Sequence, residues 1–447
     1  MVASGQVLAQ GQAQRYSCRV TFESEPAYLS YLRENAVVPR GFSFSVGSLS
    51  FTPAERPDAG AATMNLSTIE SDIPATLVGV TTRNRFCGAP VSMARERIAA
   101  GALRGIVINN KVANVGSVHG LDDAGRIAAA LAARGGYRAE LACSVSTGVI
   151  GWRVPVAALE AAVPELVPTR DPVAVAQAMM TTDRYPKLAW NTTGDARCLG
   201  VAKGAGMIEP RMATMLGFLM LDARVERSLL DRVFRAVVAC SFNRISVDSD
   251  QSTSDMVLCL ANGAGGVSID DPQELEALLQ PVCDTLAEDI VRNGEGTAHV
   301  LELRVRLVGP DELALGVARH IANSPLVKTA IYGNDPNVGR ILAALGDALS
   351  TLPGGEEIDM APLRVRILDT EVFRDGGFRL DGTSESRLAE GLAAAGFDPA
   401  QRGFPASAAR VPILVDLAPG DAAASEARVL GSDLSYEYIR ENADYRT

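Results

Sequence analysis

The chain has 447 residues, 47% hydrophobic and 21% charged, enough to bury a large core and to fill two to three domain-sized units. A formal net charge of -11 and a sequence pI near 5.0 argue against the Lys/Arg-rich surface that nucleic-acid binding requires and point to small-molecule chemistry. Seven scattered cysteines with no CxxC pair, three isolated histidines and no apolar run of membrane-spanning length argue against a disulfide framework, a zinc site, a Ser-His-Asp triad and a membrane span, and fit a cytoplasmic protein without a metal.

Residues 1–37 lack the basic start and apolar stretch of a secretory signal and read as an appended segment. From Val38 the pattern becomes short apolar runs broken by Gly, Pro and Ser. Alternation over Thr76–Val80 predicts a strand, and Val91–Ala102 a helix closed by Gly105. A buried strand at Ile106–Ile108 then runs into a polar loop. Leu121–Arg134 reads as a helix, with Asp122 and Asp123 at its positive end and Gly135-Gly136 stopping it.

The next segment, Ser146-Thr147-Gly148, lies between a short strand and a turn. A hydroxyl and an unobstructed backbone N–H there can face one point, which is the makeup of an oxyanion hole; an ordinary Ser/Thr/Gly turn has the same composition. Pro172–Met180 is helical in character and leads to the polar loop Thr181-Thr182-Asp183.

Then comes KGAGMIEPRMATML, from Lys203, in which a small flexible patch and Pro210 precede the apolar run Met215–Leu221. The pattern predicts a loop that delivers Thr214 to the first position of a buried strand. If the Ala213-Thr214 bond were cut, Thr214 would carry a hydroxyl and a free α-amine together. An α-amine has an unperturbed pKa of roughly 7.7 to 8.0, so a usable fraction is neutral at pH 7 and can take the hydroxyl proton. The same hydroxyl could make the cut by attacking the Ala213 carbonyl, an N-to-O acyl shift followed by hydrolysis. Stripped of context, a Thr at this place is more often a strand-edge hydroxyl.

Beyond Thr214 the elements are longer. Arg227–Cys240 places Leu229, Leu230, Val233, Phe234, Val237 and Val238 on one helical face. The dense polar loop SFNRISVDSDQSTSD precedes a strand at Met256–Leu260, and a helix follows from Asp271 to about Val291. Glu295 sits in a glycine-flanked turn before the alternating strand Val300–Leu307, where a solvated loop carboxylate is the plain reading. A helix (Asp311–Ala322), a strand (Leu326–Tyr332), a helix (Ile341–Ser350) and strands at Leu363–Leu368 and Val411–Val415 complete a rhythm that suits layered α/β architecture.

The segments TTRNRFCGAPV, STGVIG, TTDRYPK, KGAGMIEPRMATML, FNRISVDSDQSTSD, NGEGTAH, IANSPLVKTAIYGNDPNVGR and NADYRT occur in an order that resembles the ornithine acetyltransferase family, from about residue 38 to the end. The resemblance implies an αββα sandwich, one catalytic fold cut at Ala213-Thr214 into an α chain (residues 38–213 after the extension) and a β chain (214–447), assembled as α2β2. It implies Thr214 as nucleophile, Thr147 and Gly148 as the oxyanion hole, and substrate contacts at Thr181 (Thr182 as second choice), Lys203, Thr214, Glu295, Asn442 and Thr447. The implied reaction moves an acetyl group from N2-acetylornithine to glutamate by a ping-pong mechanism through acyl-Thr214, with no cofactor, acetyl-CoA remaining open as a second donor. The residue types suit these roles, since Lys203 is a point cation for a carboxylate and Glu295 an anion for an ammonium.

Three segments depart from the family pattern. KVAN (Lys111–Asn114) stands for GNAN, Val338 replaces the aromatic residue of DPNWGR, and His299 replaces the lysine of EGATK. Two of these changes are expected to bring altered charge or volume close to the substrate. A specialised-metabolism paralogue with another acyl donor or acceptor, an amidase or aminopeptidase with the same N-terminal Thr, and an uncut scaffold protein are the competing expectations.

Overall fold

A computed structural model of the chain describes residues 22–209, 215–396, 404 and 409–444. The elements begin with α1 (Glu25–Asn35), β1 (Phe42–Phe51), β2 (Ala62–Thr81), α2 (Ala89–Ala100), β3 (Ala102–Asn109), α3 (Gly120–Gly135), β4 (Ala142–Ser146), α4 (Val156–Ala162), β5 (Val167–Thr169) and α5 (Pro172–Met179). They continue with β6 (Lys187–Thr193), β7 (Ala196–Lys203), β8 (Leu216–Leu221), α6 (Arg227–Cys240), β9 (Ile245–Ser246), β10 (Met256–Ala261), α7 (Pro272–Arg292) and β11 (Val300–Leu307). The last are α8 (Asp311–Asn323), α9 (Pro325–Tyr332), α10 (Val338–Thr351), β12 (Arg364–Ile367), β13 (Thr370–Arg374), β14 (Gly377–Phe378), α11 (Gly382–Ala395), β15 (Val411–Asp416), β16 (Ser425–Ser432) and α12 (Tyr436–Asp444).

Two sheets with helices packed on them give the expected α/β class. The first has nine strands, running β4-β3-β2-β10-β8-β7-β6 with β1 added on β2 and β5 on β1. Its central strands β8 and β10 are buried throughout, which explains their unbroken apolar sequences. Val257, Cys259, Leu219 and Leu221 face the core that α6 and α7 complete. Met256, Leu258, Leu260, Phe218 and Met220 face the opposite core, shared with α1, α2 and α5. The predicted inner face of α6 is buried in full.

The second sheet runs β14-β13-β12-β15-β11-β16-β9. The alternation of β11 sends Leu301, Leu303, Val305 and Leu307 to a core with α8 and α10. Glu302, Arg304 and Arg306 take the other parity. There Arg410 bridges Glu302 to Glu288 of α7. Helix α7 packs on β6 and β7 of the first sheet and touches β9 and β16 of the second, so it joins the two.

Several predicted boundaries move for local reasons. Gly101 in the left-handed region, not Gly105, caps α2, and Gly105 lies in β3. The strand expected at Leu326–Tyr332 is helix α9. Ser324 caps its N-terminus, Pro325 opens it, and Val327, Ala330 and Ile331 fall at helical spacing on its buried side. The β-branched residues of that short run imitate a strand. Within residues 1–37, helix α1 is part of the core: Tyr28 and Leu32 are buried, and the Tyr28 hydroxyl donates to the Pro186 carbonyl at 3.0 Å. The six described cysteines are free thiols. Among the described residues no helix is long and apolar enough to cross a membrane.

Candidate active site

A cavity of about 460 Å³ opens where the C-terminal ends of β4 and β7 meet the loops after α5, β9 and α7. Thr147, Gly148, Thr181, Thr182, Lys203, Glu295 and Asn442, read from widely separated segments, all line it. Ser252, Thr253 and Ser254 of the dense polar loop line it as well. Ala213 and Thr214, and the C-terminal Thr447, lie outside the described residues.

Thr147 and Gly148 contribute neighbouring polar groups to the cavity lining. Gly148 has φ 126, and a Cβ there would overlap the Lys111 carbonyl group, so glycine alone fits. Its N–H has no hydrogen-bond partner among the described residues, while the flanking N–H groups are spent: Thr147 donates to Asn109 O at 3.0 Å and Val149 to Lys111 O at 2.9 Å. The Thr147 side chain is nearly buried and accepts a 3.1 Å hydrogen bond from Lys203 Nζ. An ammonium can only donate, so the Thr147 hydroxyl keeps its own hydrogen for another acceptor. Among the described residues, a hydroxyl and a backbone N–H are thereby both left free to donate where Thr147 and Gly148 line the cavity.

Asp183, in the loop before β6, ties these parts together. Its Oδ1 accepts from Lys187 Nζ at 2.5 Å and from the Gly204 N–H at 2.8 Å, and its Oδ2 accepts from the Thr181 N–H at 3.0 Å. Both side chains of the Asp183–Lys187 pair are completely buried. Burial alone would raise the Asp183 carboxyl, but the charges of Lys187 and Lys203, with the Lys187 and Gly204 hydrogen bonds, hold it well below the usual carboxylate range. Lys187 is pulled below its ordinary value because burial outweighs Asp183.

In the same lining, Asn442 Nδ2 donates to Glu295 Oε2 at 3.0 Å, and the Glu295 N–H donates to Ala205 O at 2.9 Å. Gly206 lies so close to the Glu295 carboxylate that a Cβ would overlap it. Met207 and Ile208 are held by Asp248, whose carboxylate accepts from both N–H groups, each at 2.6 Å. Burial raises the Asp248 carboxyl against the pull of those bonds. After residues 210–214, β8 begins with Leu216 paired to Lys203, and Met215 packs on Gly204.

The residues that differ from the family pattern do not enter the cavity lining; of the KVAN segment only Ala113, which the pattern shares, does. Lys111 is solvent-exposed and holds φ 71, Val112 is buried in a side core, and Val338 is buried in the first turn of α10. His299 is buried with Nδ1 2.7 Å from Asp433 and Nε2 3.1 Å from the Leu392 carbonyl. Lys111 nonetheless meets the cavity-lining Gly148 backbone to backbone. Residues that sequence reading passed over are Asp183, Lys187, Asp248 and Glu441. The polar segments TTDRYPK and SFNRISVDSDQSTSD were the only signal for the first three.

The family model described as the ArgJ family matches residues 56–447. The chain is 39% identical to the arginine biosynthesis bifunctional protein ArgJ of Thermus thermophilus, over 92% of this chain and 99% of that protein. It is 35% identical to the glutamate N-acetyltransferase Oat2 of Streptomyces clavuligerus, over 92% of this chain and 98% of that one. A crystal structure of arginine biosynthesis bifunctional protein argJ from Bacillus halodurans is similar with a TM-score of 0.44 at 32% identity, covering 52% of this chain and 100% of that chain.

Proposed function

The chain belongs to the ArgJ family of arginine-biosynthesis acyltransferases, and from that premise we propose that it cuts itself at Ala213-Thr214 and carries acetyl groups on Thr214. The observation that carries this reading is one cavity lining that brings together Thr147 and Gly148, Lys203 bonded to Thr147, and Glu295 bonded to Asn442. The lead of β8 at Lys203 supports it, because Thr214 is bonded to Met215 at the start of that strand.

In this mechanism the free α-amine of Thr214 accepts the proton of its own hydroxyl, and Oγ attacks the acetyl carbonyl of N2-acetylornithine. Thr147 Oγ and the Gly148 N–H donate to the oxygen on which negative charge develops. The C–N bond breaks, the α-amine of ornithine leaves with the proton from the Thr214 ammonium, and an acetyl ester remains on Thr214. Glutamate then enters, its neutral amine attacks the ester, and Thr214 leaves as the hydroxyl. Lys203 has two N–H donors left beyond its bond to Thr147 and serves the substrate α-carboxylate, with Thr181 or Thr182 alongside. Glu295 and Asn442 take the side-chain end, joined by Thr447. Acetyl-CoA is a second donor to be tried in the same assay, and the cut αβ units pair as α2β2.

The test is incubation of purified protein with N2-acetylornithine and glutamate, with products identified by mass. N-acetylglutamate formed in step with ornithine is expected. Free acetate in place of N-acetylglutamate would mean that water is the acceptor and the protein is an amidase.

A further inference from the structure

Helix α12 brings a second carboxylate to the cavity lining that holds Glu295. Glu441 lines the cavity beside Asn442 and Glu295, and the Glu295 charge acts on its carboxyl. Asn442 offers Glu295 a neutral amide donor and brings no charge. The charge of Arg184 also acts on Glu441, and its guanidinium is held by the Gly294 and Thr297 carbonyls. Among the described lining residues the cation is Lys203, bound to Thr147. The described lining thus holds one lysine and two carboxylates, Glu295 and Glu441.

We propose that Glu441 is a specificity-determining residue, which with Glu295 selects substrates carrying a cationic group at the distal end of the side chain and disfavours anionic ones. The proposal rests on the amino-acid reading of this cavity given above and names its preferred substrate class, an N2-acyl diamino acid and its free form. The charge balance of the local field agrees. The Glu441 carboxyl stands above the usual range through partial burial first and the Glu295 charge second, so Arg184 does not neutralise this pair of carboxylates. A bound ammonium would relieve that repulsion, whereas the side-chain carboxylate of glutamate would add a third negative charge. Ornithine and glutamate use the same cavity in turn, so Glu441 sets how unequally it holds them.

The experiment is titration calorimetry of the mature protein and of its Glu441→Gln and Glu441→Asp variants with ornithine, norvaline and glutamate. Norvaline has the ornithine carbon chain without the terminal ammonium. Wild-type protein is expected to bind ornithine more tightly than norvaline, and norvaline more tightly than glutamate. In Glu441→Gln the ornithine-to-glutamate affinity ratio should fall roughly tenfold, and Glu441→Asp should keep most of it. Glu441 is exposed on a helix with no buried residue, so both variants should fold. A ratio unchanged to within about twofold in Glu441→Gln, or equal wild-type affinity for ornithine and glutamate, would overturn the proposal. The binding readout does not depend on catalysis. A shifted ratio without acetyl transfer would sink the acyltransfer reading and leave Glu441 standing, and transfer with an unshifted ratio would do the reverse.

Discussion

Gly148 and Lys111 meet backbone to backbone, and each holds a positive φ that only one of them tolerates without strain. Gly148→Ala should therefore abolish turnover, by forcing a Cβ into the Lys111 carbonyl. Lys111→Gly should leave activity intact and raise unfolding stability by about 1 kcal/mol in urea titration, since a left-handed residue with a Cβ is disfavoured by that order. Thr147→Val keeps the volume but removes the hydroxyl; loss of one oxyanion donor typically costs about 2.7 to 4 kcal/mol, so kcat should fall a few hundredfold. An unchanged kcat would remove Thr147 from the mechanism. At this scale the sequence was legible where a motif carried the residue, as for Thr147, Gly148, Lys203, Glu295 and Asn442. Glu441 stayed hidden because nothing local marks it: its role exists only once α12 lies against the turn after α7, more than a hundred residues earlier in the chain.

Buried cations hold the elements around the cavity in place. Lys187 of β6 neutralises Asp183, and Asp183 in turn fixes the Thr181 and Gly204 N–H groups. Removing one partner of such a pair leaves an uncompensated buried charge, so Lys187→Met should destabilise the fold by roughly 3 to 5 kcal/mol. Adding Asp183→Asn should recover part of that loss. Lys328 of α9 donates to Val247 O at 2.7 Å and to Ser432 O at 2.6 Å, joining α9 to the segment that bears Asp248 and to β16. Burial first of all lowers this ammonium to about 8, against the raising charges of Asp433, Asp248 and Glu209. The unfolded chain would hold that proton up to its ordinary value near 10.5, so between about pH 8 and 10.5 the unfolded state binds more protons and the Lys328 contribution to stability rises with pH. The stability of the protein relative to Lys328→Met should grow by a few kcal/mol across that window, measured by denaturant titration at each pH. The same helix exposes a limit of sequence reading. The apolar run of α9 was seen, but a run of eight residues suits either period, and its cap at Ser324 was needed to decide.

Across the whole molecule, the expected cut falls between neighbouring strands of one sheet. β7 precedes Ala213-Thr214 and pairs with β8, which follows it, while β10 pairs with both β8 and β2. The two pieces are interleaved, and separating them would expose the cores on both sheet faces. They should co-elute as one species under native conditions and separate only in denaturant. The α/β class was legible in the rhythm of apolar runs, but this strand order was not, because long-range pairing leaves no local pattern. Self-cleavage is tested most directly by intact-mass analysis with amino-terminal sequencing of the purified protein and its Thr214→Ala variant. Two fragments are expected from the first, one beginning Thr214-Met215-Leu216, and a single inactive chain of about 47.0 kDa from the second. An uncut wild-type chain that transfers acetyl groups at full rate would contradict a nucleophile born of that cut.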